Sequence, residues 1–155
     1  MFMYPLVLTL HSLVRWAILI VGIAAVVRAW MGSRGGKPWT QLDDRLGLGF
    51  TIALDLNLLL GLLLYVVFSP ITRSAFSNFG AAMGNSGQRF FLVEHFLLMV
   101  VAVVVAHIGR SRAKKAAADA GKFKQTAIFF TIALVLVLLA IPWPFLATGA
   151  GRGWF

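Results

Sequence analysis

Four apolar stretches, 5–29, 46–68, 90–109 and 126–147, are each close to the ~20 residues a helix needs to cross a bilayer. In hydrocarbon every backbone N–H and C=O must find its partner within the protein, which leaves helices and closed barrels as the spanning structures. Stretches this long and continuously apolar select helices. The chain has 155 residues, 60% of them hydrophobic, and the connections are too short for a separate soluble domain. The pattern predicts an all-α membrane protein, a single up-down four-helix transmembrane domain over 1–155. The first stretch has no basic residue before it, holds Arg15 in its middle and outruns a signal-peptide core, so it reads as a retained helix.

The formal charge of +9 in a soluble protein would suggest nucleic acid. In this chain its distribution carries the information, because basic residues gather on the cytoplasmic side of membrane helices. Arg28, Arg34, Lys37 and Arg45 surround the first connection, and Arg110, Arg112, Lys114, Lys115, Lys122 and Lys124 the third. Arg73, Arg89 and Arg152 lie on the other side. This predicts a bacterial inner-membrane protein with both termini outside the cytoplasm, no nucleic-acid partner, and basic loops drawn to anionic headgroups. Cysteine is absent, so disulfides, thiolate metal sites and covalent c-type haem attachment are excluded.

The second connection, 69–89, carries Ser69-Pro70 as a helix start and Ile71, Ala75, Phe76 and Phe79 at helical spacing, which predicts a short interfacial helix on the outer side. Gly80, Gly84, Asn85, Ser86 and Gly87 predict a flexible turn after it. Trp30 and Trp39 on one side, with Tyr4, Trp143 and Trp154 on the other, fall where aromatic belts belong.

Ionisable residues inside a membrane are costly, and each calls for a role. Arg15 and Asp55 fall at similar depth on sequence-adjacent helices, and an ion pair between them is the expected arrangement, since facing charges offset one another. Asn57 lies near Asp55 in depth but on another face. His11 and His95 each sit about six residues inside a separate stretch entered from the same side, hence roughly 9 Å below one surface. His107 lies about 18 Å from His95 along the same helix and cannot share an iron with either. Two histidines at equal depth on diagonal helices are what a b-type haem needs for axial ligation. Gly61 is at a depth where a small residue would admit a ring edge; Gly22 is deeper and serves helix packing. Arg89 or Arg73 would neutralise propionates. Structural roles stand beside this reading: His11 bonding Ser12 or another helix, His95 bonding Glu94 or Arg89, or a metal ion on His11, Glu94 and His95. No nucleophile–base pair, phosphate loop or His-Glu metal spacing is present.

The strings His11-Ser12-Leu13-Val14-Arg15-Trp16, Gly61-Leu62-Leu63-Leu64-Tyr65, Val93-Glu94-His95, Ile108-Gly109-Arg110 with Lys114-Lys115, and Ile141-Pro142-Trp143-Pro144 resemble a family of small four-helix bacterial membrane proteins labelled cytochrome b-like. The resemblance spans nearly the whole chain. It implies a haem-binding electron-transfer subunit, with His11 and His95 as the residues that carry over as ligands. Where this chain has Asp55 and Asn57, the family more often has His and Gln. The expectation is therefore a membrane electron-transfer subunit holding one haem b, rather than a stand-alone enzyme, within a larger complex of membrane subunits. The alternative is a cofactor-free accessory subunit of a respiratory or photosynthetic assembly.

Overall fold

The structure is a computed structural model and describes residues 3–149; Arg152 and Trp154, assigned above to the outer side, lie outside the described residues. The elements are α1 (Met3–Gly35), α2 (Gln41–Leu63) running into a π-helical turn (Leu64–Phe68), α3 (Pro70–Ser77), α4 (Phe79–Gly84) and α5 (Ser86–Arg89). A second π-helical turn (Phe90–Glu94) then leads into α6 (His95–Lys115), followed by α7 (Asp119–Ala140). Four continuous helical segments, Met3–Gly35, Gln41–Phe68, Ser86–Lys115 and Asp119–Ala140, are long and apolar enough to cross a membrane. Among the described residues there is no strand. The architecture is that of an all-α, multi-pass membrane bundle.

Each long helix packs on two others: α1 on α2 and α7, and α6 on the same two. This ring sets α1 and α6 on opposite corners, the arrangement of an up-down bundle in which successive spans are neighbours. Ile18, Phe50, Leu54, Phe130 and Val137 fill the centre and are almost wholly buried. Small residues bring the helices close. A Cβ on Gly22 would lie 2.7 Å from the Phe50 ring, and one on Gly109 would overlap Phe129 Cβ, so α6 approaches α7 at a distance that only glycine permits.

The helices reach further at the basic end than the apolar stretches do. Thr40 starts α2, where its backbone N–H and hydroxyl both donate to the Asp43 carboxylate, at 2.9 and 2.6 Å. The same carboxylate accepts from Arg28 Nε at 2.8 Å, tying the end of α1 to the start of α2. Asp119 opens α7, where an acid suits the helix N-terminus, and accepts from Lys122 Nζ and from the Trp39 backbone N–H.

Two expectations are corrected at the other end. The fourth helix ends at Ala140, not 147, because Pro142 biases the residue before it away from helical angles, and Ile141 is extended (φ −72°, ψ 126°). The glycine-rich stretch after α3 is also more helical than its composition suggests. Asn78 and Asn85 accept from Ala81 N and Gln88 N at 3.1 and 3.0 Å, capping α4 and α5 in place of a flexible turn. The short helix expected in the second connection is α3, whose start the Ser69 hydroxyl caps.

Candidate functional site

Three prolines decide the local structure from which the site is built. Proline has no N–H, so the carbonyl that would have bonded to it must find another donor if it is buried. Pro142 deprives Leu138 of its i+4 partner, and the Trp143 indole N–H donates there instead, at 3.0 Å. Pro144 does the same to Ala140, whose carbonyl accepts from His95 Nδ1 at 2.7 Å. At the first π-helical turn, Ser69 N–H bonds to Leu64 O five residues back, so Tyr65 O would need the missing N–H of Pro70. The Thr72 hydroxyl supplies it, at 2.7 Å. Each proline thus leaves a carbonyl that recruits a side chain, Trp143 and Thr72 from nearby in sequence and His95 from across the bundle.

The bond to Ala140 has a chemical consequence. A carbonyl oxygen only accepts, so Nδ1 of His95 carries the hydrogen and the lone pair of the neutral ring lies on Nε2. His95 follows directly on the second π-helical turn, its own N–H bonded to Phe90 O. Single π turns of this kind are frequent at functional sites, where an extra residue re-aims the side chains after it. Across the bundle, His11 projects from α1, and the two imidazole centres lie 6.2 Å apart with planes at 62°.

Both rings line a cavity of about 250 Å³ on the side of the bundle away from the basic connections. Arg15 and Asn57 line its deeper part, Tyr65 and Thr72 its outer part, and Gly61 its α2 wall. No aspartate or glutamate is among the lining residues described. Two polar atoms in the wall, His11 Nδ1 and Asn57 Oδ1, are buried without a hydrogen-bond partner. A buried polar atom left in this way costs about 1–3 kcal/mol, unless a water or ion completes its bonding.

The structure brings His11 and His95 together, as their matched depth predicts. Gly61 belongs to the same site, but the space it leaves holds the His11 ring itself: a Cβ there would lie 3.3 Å from His11 Cε1. Three other expectations are corrected. Arg89 is not in the cavity wall; its Nε pairs with Glu94 Oε1 at 2.9 Å, five residues along the same helical segment. That bond also turns Glu94 to Arg89 instead of joining His11 and His95 on a metal ion. Asp55 pairs with His107 Nε2 at 2.8 Å, not with Arg15, because Arg15 faces the cavity while Asp55 faces α6. Among the described residues no three His, Cys, Asp or Glu side chains are grouped for metal binding.

Sequence reasoning missed Tyr65, Thr72 and the Ala140 carbonyl. The signal lay in Pro70, Pro142 and Pro144, whose positions name the carbonyls that lose a donor. Tyr65 further ties the two π turns together, its hydroxyl donating to Leu92 O at 2.8 Å while its ring stacks on Phe96 at 4.8 Å. Compared with protein-family models, with curated proteins and with solved structures, the chain matches none.

Proposed function

We propose that this chain is a membrane electron-transfer subunit that holds one b-type haem between His11 and His95. The observation that carries the reading is the pair of opposed imidazoles. Two rings that share one metal ion, each through a nitrogen about 2 Å from it, have centres roughly 6 Å apart, and these lie at 6.2 Å. The residues fit such a group in three further respects. The lone pair of His95 is directed to Nε2 by the Ala140 bond, the outer-sphere device that orients ligating histidines in metal sites. A two-ligand axial set needs no third protein donor, and among the described residues none is grouped with these two. His11, facing His95 across the cavity, supplies the second imidazole.

A bound haem would supply reversible one-electron chemistry, its potential tuned by ligation, burial and hydrogen bonding. The chain's own residues orient and shield. The π turns, Phe91 and Tyr65 wall the outer end of the cavity. Arg15, one helical turn deeper than His11 in the same wall, takes the place expected of Arg89 as the positive charge for acidic substituents. The resemblance to cytochrome b-like membrane proteins agrees with this reading. We place the protein in a bacterial inner membrane with both termini outside the cytoplasm, on the excess of basic residues in the first and third connections, serving a larger membrane complex.

The test is the absorption spectrum of protein purified after haem-replete expression, oxidised and then reduced. A low-spin spectrum is expected, lost in His11→Ala and in His95→Ala and retained in His107→Ala. Wild-type protein with no Soret band would overturn the cytochrome reading in favour of a cofactor-free accessory subunit.

A further inference from the structure

Asp55 and His107 lie far from the cavity's histidines, on the outer surface where α2 meets α6. Asp55 falls near the middle of the Gln41–Phe68 span. Polar side chains at that depth normally face the bundle interior or a water-filled cavity. These do neither: their side chains remain 45% and 49% exposed although they are bonded to each other. Around them the same face is aliphatic and exposed, with Ile52 and Leu59 on α2 and Val104 and Ile108 on α6. Among the described residues the pair makes one hydrogen bond, His107 Nε2 to Asp55 Oδ1. Nδ1 of His107 and Oδ2 of Asp55 make no further hydrogen bond among the described residues.

We infer that this face is the interface between two copies of the chain, joined in the membrane by their Asp55–His107 pairs. Two copies inserted in the same orientation are related by a two-fold axis along the membrane normal, so a residue near that axis meets its own equivalent at the same depth. A mixed acid–base pair is self-complementary under that rotation. With each His107 as an imidazolium, both ring nitrogens donate: Nε2–H to its own Asp55 and Nδ1–H to the second carboxylate oxygen of the other copy's Asp55, closing a ring of four alternating charges out of contact with lipid. An unrelated partner would have to bring its own acid and base at the same depth. The aliphatic ridges on either side of the pair supply the van der Waals packing on which helix association in lipid depends. This inference is independent of the haem reading.

The chain has no cysteine, which makes oxidative cross-linking in intact membranes free of background. Single-cysteine variants Ile52→Cys and Val104→Cys, with Asp55 and His107 untouched, are expected to give disulfide-linked dimers. Ile20→Cys on α1 and Leu139→Cys on α7, more exposed still but on other faces, are expected to stay monomeric. Equal yields at all four positions, or none at Ile52 and Val104, would overturn the inference. Asp55→Leu/His107→Leu, which removes both members of the pair, is expected to raise the dimer dissociation constant in detergent roughly tenfold. An unchanged dissociation constant, with helicity retained, would likewise overturn it.

Discussion

At the scale of single residues, polar groups in this chain are placed by the partner each can reach. The Asp55–His107 bond implies that Asp55→Leu and His107→Leu are coupled, by about 1 kcal/mol on the scale of interhelical bonds in membranes. Arg15→Leu and Asp55→Leu should add without coupling. A double-mutant cycle on unfolding in mixed detergent measures both, and coupling between Arg15 and Asp55 would contradict the arrangement described. The glycines separate in the same way by what surrounds them. Gly109→Ala forces Cβ against Phe129 Cβ, which is attached to backbone and cannot swing aside, so a loss of about 1–3 kcal/mol is expected. Gly61→Leu occupies the place of the His11 ring. Its expected effect is loss of the haem spectrum with helix content preserved in circular dichroism. Depth was legible for His11, His95 and Asp55 because a helix climbs a constant distance per residue. Azimuth was not: whether Asp55 turns to α1 or to α6 depends on how α2 is rotated in the bundle, which a central span apolar on nearly every face does not specify.

At the scale of elements, helix ends are governed by donor supply. Restoring an N–H at both proline positions, Pro142→Ala/Pro144→Ala, should let α7 run on past Ala140 and claim the carbonyls of Leu138 and Ala140 for helical bonds. His95 Nδ1 would then lose its acceptor. The expected readouts are slower amide exchange over 141–145 and a shifted or high-spin haem spectrum; unchanged exchange would show that the prolines do not set the end. Thr72→Val leaves Tyr65 O without its hydroxyl donor, a loss of about 1–3 kcal/mol. Its expected consequence is faster exchange across α3 while α1 and α7 keep their protection. The spans themselves were legible from apolar length, and α3 from Ser69-Pro70 and its apolar spacing. The π-helical turns were not, because an inserted residue leaves composition and hydropathy unchanged and shows only in which carbonyl each N–H reaches.

At the scale of the whole molecule, the ten basic residues around the first and third connections determine the expected orientation. An alkaline phosphatase fused after Phe155 should be active, and a fusion within 112–118 inactive; the reverse would invert the topology. The four-helix ring with α1 and α6 on opposite corners is also what makes a shared site for His11 and His95 available. Sequence-adjacent helices would have placed two imidazoles side by side along one wall.

Hydrophobic length, the charge asymmetry and the absence of cysteine by themselves determined the number of spans, the bundle class, the expected orientation and the exclusion of covalent haem, since each depends on transfer between water and lipid and on no particular neighbour. The constant helical rise also made the matched depth of His11 and His95 readable. The tertiary structure alone decided the rest. Which carbonyl anchors His95, that Arg15 and not Arg89 faces the cavity, and that Asp55 bonds His107 all depend on the rotation of each helix about its axis. That rotation is settled by close packing at residues such as Gly109 against Phe129, where side chains from different helices compete for the same volume.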